Sequence, residues 1–187
     1  MSLRSALFLD RDGVVNVDHG YVYRTEDFHF IDGIFDVVSA ANRAGYVVVI
    51  VTNQAGIGRG YYSEADFFRL MDWVRTEFER RGCRIDAVYF CPDHPEHGIG
   101  PYRRDTDFRK PGPGMLLRAA EEIGIALETS IMVGDKASDM EAARAAGVPT
   151  RLCFGNAREV GEGVGIGSLT DVLRFFESSA TCVQVHQ

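Results

Sequence analysis

Cysteine is scarce in this chain and never paired: Cys83, Cys91, Cys153 and Cys182 stand far apart, with no C-x-x-C among them. That spacing excludes a disulfide framework and leaves reduced thiols as the expectation. Long apolar runs are missing too, since no segment approaches the ~20 residues a membrane span needs. An excess of positive charge is also absent: 20 Lys and Arg against 27 Asp and Glu give a net charge of −7. The basic residues are scattered, which argues against a nucleic-acid surface held by phosphate contacts. No repeat is visible. The first apolar run begins within a few residues of Met1, leaving no room for a signal peptide, so a cytoplasmic enzyme is expected, without membrane or nucleic-acid partners and as a monomer.

What is present is a soluble globular composition, 45% hydrophobic and 25% charged, in a length that suits one domain over 1–187. Ala6-Leu7-Phe8-Leu9 has no polar alternation, the pattern of a strand buried on both faces. Similar strands are expected at 46–51, 85–91, 130–133 and 149–154. Helices are expected at 34–44, 63–81, 114–123 and 138–146, with Ser63 as a cap, and a weaker amphipathic segment at 169–176. Strands alternating with helices predict an α/β fold, a doubly wound, Rossmann-like parallel sheet with helices on both faces. The stretch 92–113, rich in Pro, Gly and charge, reads as a long functional loop, and 178–187 as a disordered tail.

The chemistry gathers at strand ends. Asp10 and Asp12 follow the first strand, with Gly13 behind them to permit a sharp turn. Two such carboxylates can divide the tasks of nucleophile, proton carrier and Mg²⁺ ligand. Thr52-Asn53-Gln54 ends the second strand, and the glycine-rich Ala55-Gly56-Ile57-Gly58-Arg59-Gly60 lets backbone N–H groups approach an anion; taken alone this is equally a turn. Arg109-Lys110-Pro111 closes the long loop. Lys110 suits a transferring phosphoryl group and Arg109 a second anion, unless the two are a solvated basic pair. Asp135 follows the strand at 130–133 within Gly134-Asp135-Lys136-Ala137-Ser138-Asp139, where a metal ligand is needed. Asp139, one turn later, is either a further ligand or an acid complementing the helix dipole.

In order and spacing these stations resemble the haloacid dehalogenase (HAD) superfamily of phosphatases over about residues 6 to 154. The resemblance implies Asp10 as nucleophile, Asp12 as general acid and base, and Thr52 and Lys110 as stabilisers of the phosphoryl group. It implies Mg²⁺ held by Asp10, Asp135 and the backbone carbonyl of Asp12. Asp18-His19-Gly20-Tyr21, Thr52 to Gly60 and Arg109 to Met115 look closest to the heptose bisphosphate phosphatases, which remove the 7-phosphate of D-glycero-D-manno-heptose 1,7-bisphosphate in nucleotide-heptose synthesis and lack a large cap domain. Substrate contacts are then expected from Asp18, His19, Gly20, Tyr21, Thr52, Asn53, Gln54, Ala55, Arg109, Lys110 and Lys136, although residues 18–21 are also compatible with a plain turn, Tyr21 on its rim. A histidinol-phosphate phosphatase is the nearest alternative, and a catalytically silent binding protein a more distant one.

One departure from the resemblance concerns zinc. Relatives carry a structural zinc in the long loop on Cys-x-His and Cys-x-Cys pairs, where this chain reads Cys91-Pro92-Asp93 and Thr106-Asp107-Phe108. Three of four ligands are replaced, so no structural zinc is expected. A regrouping of Cys91, His94 and His97 around a metal lacks a second thiolate. Phe108 packing and the prolines are expected to order the loop instead.

Overall fold

A computed structural model describes residues 3–155 and 163–180. Six strands, β1 (Ala6–Leu9), β2 (Val47–Asn53), β3 (Ala87–Cys91), β4 (Ile131–Gly134), β5 (Thr150–Phe154) and β6 (Val164–Ile166), form one parallel sheet in the order β3-β2-β1-β4-β5-β6. The helices are α1 (Ile34–Arg43), α2 (Ala55–Gly58), α3 (Glu64–Glu79), α4 (Gly114–Ile123), α5 (Ala137–Ala146) and α6 (Leu173–Ala180).

Alternate residues of the central strands enter two separate cores. Leu7, Leu9, Val48 and Ile50 pack under α1 and α3 with Ile34, Val37, Phe67, Leu70 and Phe78. Phe8, Val47, Val49 and Val51 pack on the other face with Met115, Leu116, Met140 and Ala143 of α4 and α5. A strand buried on both faces has no reason to alternate in polarity, which is why β1 reads as an unbroken apolar run. Each fully buried side chain of this kind contributes roughly 1.5–3 kcal/mol.

The strand order creates the site. From β1 the chain builds outward through β2 and β3, then returns to place β4 on the other side of β1 and continues through β5 and β6. The carboxyl end of β1 therefore lies at the topological switch point, flanked by the ends of β2 and β4. No large cap domain interrupts the described residues.

Several boundaries differ from the sequence reading for local reasons. Residues 55–58 form the short helix α2, because Gln54 N–H bonds to Cys91 O and the chain coils directly after the strand. β6 is too short and glycine-flanked to register as an apolar run. The segment expected as one helix at 169–176 is a 3₁₀ turn, Leu169–Val172, leading into α6, and α6 continues to Ala180, past the expected start of a disordered tail at 178. Residues 181–187 lie outside the described residues. The helix expected at 63–81 spans Glu64–Glu79 and opens on a reciprocal cap, Ser63 and Asp66 each bonding the other's backbone N–H. No helix among the described residues is long and apolar enough to cross a membrane.

Candidate active site

Asp10 stands where β1 ends, its N–H continuing the β1–β4 ladder to Val133 O at 3.0 Å. The chain then turns sharply: Val15 and Asn16 both donate to Arg11 O, at 2.8 and 3.0 Å. Gly13 adopts φ +93° here, and a Cβ on it would stand 2.2 Å from Asp135 Oδ2. Glycine thus serves both the turn and the close approach of the β4 end.

Around Asp10 lies a buried charge cluster. Lys110 Nζ donates to Asp10 Oδ1 at 2.7 Å and to Val51 O at 2.8 Å, and pairs with Asp139 Oδ1 at 2.6 Å. Asp139 also accepts from the backbone N–H groups of Asp135 and Lys136, so it caps α5 and anchors Lys110 at once. Asn53 fixes the other end of the lysine: its amide donates to Lys110 O at 2.9 Å and accepts from Lys110 N at 3.0 Å. Burial pushes the Asp10 carboxyl up to about 8; Lys110 pulls against that, and Asp139 adds to the rise. Burial works against charge on Lys110 as well, but Asp10 and Asp139 outweigh it and raise its pKa. One ammonium shared by two carboxylates leaves a surplus of negative charge, although burial is the larger cause of the rise at Asp10.

Asp135 adds to the surplus, its pKa raised by burial and by Asp139 against the pull of Lys136. Carboxylate oxygens of Asp10, Asp135 and Asp139 lie within 4.8 Å of one another, and Asp135 Oδ1 is buried with no hydrogen-bond partner. An orphaned carboxylate oxygen beside unbalanced negative charge fits a hard divalent cation with oxygen ligands. Asp139 is occupied by Lys110 and two N–H groups, which leaves Asp10 and Asp135 as the carboxylates facing such an ion.

Asp12 has different neighbours. Its carboxylate accepts from Arg11 Nε at 3.1 Å and Nη2 at 2.8 Å, from Asn16 Nδ2 at 3.0 Å and from Gln54 Nε2 at 3.0 Å. Arg11 is fully buried, lies over Phe67 and donates to Val22 O at 2.7 Å.

A cavity of about 520 Å³ opens above these groups. Thr52, Asn53, Gln54, Ala55, Asp18, Gly20, Tyr21, Arg109, Lys110 and Lys136 line it together with Asp10 and Asp12. Asp135 faces an adjoining cavity with Gly13 and Lys136. Of the expected substrate contacts, His19 alone is outside both, its ring packed edge-on against His29 at 5.3 Å. Asn53 and Gln54 line the wall, but their amides are spent on Lys110, Thr52, Asp12 and Tyr62. Asp18 forms a turn, accepting from Gly20 N at 3.0 Å, and pairs with Lys136 across the mouth at 3.3 Å. Tyr21 sits on the rim at φ +53°, edge-on to Tyr61.

Sequence reasoning missed Arg11, Asn16, Tyr62 and Arg59. The signal for Arg11 was its place between the two aspartates, where a turn folds it back over the second. Arg59 and His94 join Arg109 on the cavity wall, and Arg109 is oriented by Asp93 O at 3.2 Å. His94 is lowered by burial first and then by Arg109, His97 and Arg59, so positive charge converges there. Its Nδ1 accepts from the N–H groups of Glu96 and His97. The long loop is held by an Asp93–Arg104 pair at 3.0 Å, by Phe108 packed against the second core and by Gly112 and Gly114 folded closely onto Asp107.

Known proteins resemble this chain along much of its length. Residues 107–158 match the family described as HAD-hydrolase-like. A D-glycero-alpha-D-manno-heptose-1,7-bisphosphate 7-phosphatase of Burkholderia mallei is 58% identical over 79% of this chain and 78% of its own. The chain belongs to the HAD-like phosphatases. A second such phosphatase, the D-glycero-beta-D-manno-heptose-1,7-bisphosphate 7-phosphatase of Vibrio cholerae, is 50% identical over 85% of this chain and 86% of its own. Among solved structures, the D,D-heptose 1,7-bisphosphate phosphatase of B. bronchiseptica, complexed with magnesium and phosphate, is 27% identical with a TM-score of 0.79, covering 93% of this chain and 98% of that one. This HAD-like phosphatase thus shares both sequence and architecture with enzymes named for a sugar bisphosphate.

Proposed function

We propose that this phosphatase hydrolyses the 7-phosphate of D-glycero-D-manno-heptose 1,7-bisphosphate through an aspartyl-phosphate on Asp10, in the cytoplasmic synthesis of nucleotide-activated heptose. The observation that carries the catalytic part is the arrangement of Asp10 and Lys110, 2.7 Å apart under the cavity, with Asp12 on the same turn. Asp10, Asp135 and the backbone carbonyl of Asp12 are the groups to hold Mg²⁺, as the orphaned Asp135 oxygen and the unbalanced carboxylates suggest. When bound, the ion offsets the repulsion between a carboxylate nucleophile and a phosphate dianion.

The chain's own residues then do the following. Lys110 and the Thr52 hydroxyl hold the phosphoryl oxygens, and Asp10 attacks phosphorus in line. As the bond to the sugar oxygen breaks, its electron pair stays on that oxygen, which takes a proton from Asp12. Asp12, now ionised, accepts a proton from water as the water oxygen attacks the acyl-phosphate and frees Asp10. At the far wall Arg59 and Arg109 suit a second phosphate. The same wall disfavours histidinol, whose ammonium and imidazole call for carboxylates.

Relatives of both anomeric names are similar to this chain, so the test uses both anomers of the bisphosphate alongside histidinol phosphate. Phosphate release from the bisphosphate is expected with Mg²⁺, stopping under chelation and returning on Mg²⁺ addition. A higher kcat/KM for histidinol phosphate overturns the substrate, and full turnover under chelation overturns the metal. We also read the 92–113 loop as held by protein contacts without zinc; metal analysis finding zinc bound at one per chain overturns that part.

A further inference from the structure

Behind Asp12 stands a pair of buried side chains that no chemical step uses. Gln54 is 2% exposed, and its Nε2 donates both to Asp12 Oδ2 at 3.0 Å and to Thr52 Oγ1 at 2.9 Å. Its Oε1 accepts a short hydrogen bond from the Tyr62 hydroxyl. Tyr62 is itself buried and stacked on Tyr23, ring centroids 5.0 Å apart and planes within 6°. Gly56 clears the space for that ring, since a Cβ there would stand 2.3 Å from Tyr62 Cε1.

A carboxamide is ambiguous: a half-turn exchanges its NH₂ and its oxygen. In one orientation Gln54 donates to Asp12; in the other it sets an oxygen lone pair against a carboxylate. The NH₂ face meets acceptors on Asp12 and Thr52, while the oxygen meets a phenol, whose single hydrogen it accepts. The Asp12 carboxylate, which can only accept, selects the orientation, and the phenol holds it by donating its single hydrogen to the amide oxygen. Because one NH₂ group serves both Asp12 and Thr52, the same amide also sets the spacing between the carboxylate and the hydroxyl that flank the cavity floor.

We infer that Gln54 and Tyr62 are positioning residues for proton transfer, Tyr62 fixing the Gln54 amide and the amide fixing the Asp12 carboxyl relative to Thr52. This rests on the proposal that Asp12 protonates the leaving group. Arg11 and Asn16 hold Asp12 from its other side, so removing the Tyr62 hydroxyl loosens the carboxyl without releasing it.

The test compares two leaving groups by kcat/KM, which reports transfer to the nucleophile. A sugar alkoxide needs its proton; p-nitrophenolate departs without one. In Tyr62→Phe, which keeps the ring and its stacking, kcat/KM on the heptose bisphosphate is expected to fall about tenfold, part of the ~10²–10⁴ that a positioned acid supplies, while p-nitrophenyl phosphate changes less than about twofold. Gln54→Met also releases the Thr52 hydroxyl, so it is expected to lower both substrates, the sugar by the larger factor, and that difference answers the question if Tyr62→Phe fails to give a cooperative melt. Asp12→Asn is the reference: it should show a larger split, and adding Tyr62→Phe to it should cost nothing further on the sugar substrate. A parallel fall on both substrates, or no fall on the sugar, overturns the positioning role. If Asp12→Asn itself shows no split, the acid assignment fails and the inference goes with it.

Discussion

Asp10 and Asp12 leave the same strand end and point into the same cavity, yet they meet opposite surroundings. Asp10 is 5% exposed and shares a single ammonium with Asp139, with Asp135 close by. Its neighbourhood has too little positive charge. Asp12 is held by donors alone, two from Arg11, one from Asn16 and one from Gln54. The first environment suits the cation and the electrophile proposed for it; the second fixes a carboxyl in place. Two identical side chains thus acquire different roles from what is packed around them, and neither role is legible from the aspartates themselves.

The sharpest way to break this comparison is to remove the carboxylate from one side. Asp10→Asn is expected to lower turnover by at least ~10⁴-fold, the scale seen when a covalent nucleophile is lost. The fold should survive, because Lys110 keeps Asp139 and Val51 O as partners. Steady-state phosphate release together with a thermal melt checks both halves. Turnover within tenfold of wild type would take Asp10 out of the nucleophile role.

Next in size is the cation. Lys110→Met leaves Asp10 and Asp139 facing each other in a buried site, their side chains only 8% and 2% exposed. Breaking a buried pair by removing one partner costs about 3–5 kcal/mol, so urea unfolding should show a loss of that order. The loss should shrink when Mg²⁺ is added, because the ion supplies positive charge to the same carboxylates. A loss below about 1 kcal/mol would mean that solvent, and not Lys110, balances the cluster.

These two environments also mark what the sequence could convey. The strand at 6–9 and the helices expected at 34–44, 63–81 and 114–123 were legible to within two residues because burial on both faces, apolar spacing and the Ser63 cap write local patterns. Asp10, Asp12, Thr52, Lys110 and Asp135 were legible as a set because each ends a strand or loop that the fold must bring to one edge. Arg11 was not, since a charged residue after a strand is ordinarily solvated, and only the turn at Gly13 buries it. Tyr62 carries no local pattern of its own, and its bond to Gln54 depends on how α2 coils. Asp139 was ambiguous between metal and dipole; its contacts show a cap that also anchors Lys110. Contacts between residues distant along the chain leave no periodicity to read.

The Asp18–Lys136 pair offers the mildest test, and a contrast with the buried pair. It spans the cavity mouth at 3.3 Å, with side chains 37% and 53% exposed. Burial pushes the Asp18 carboxyl upward, but the Gly20 N–H and Lys136 outweigh it and hold the pKa below the usual carboxylate range. A carboxyl depressed in the folded state adds stability above its unfolded value and loses it as pH falls through the folded one. The contribution should therefore be complete at neutral pH and fade in acid below about pH 4. Asp18→Asn keeps an acceptor for the Gly20 turn and removes only the charge. Its cost at pH 7 is expected to be under about 1 kcal/mol, because solvent and salt screen an exposed pair, and to diminish further in high salt. Urea unfolding at pH 7 and in acid, with and without salt, measures all three. A loss above about 2 kcal/mol that ignores salt would place Asp18 with the buried cluster around Asp10, and the distinction between a guarded interior and a solvated rim would fail at that residue.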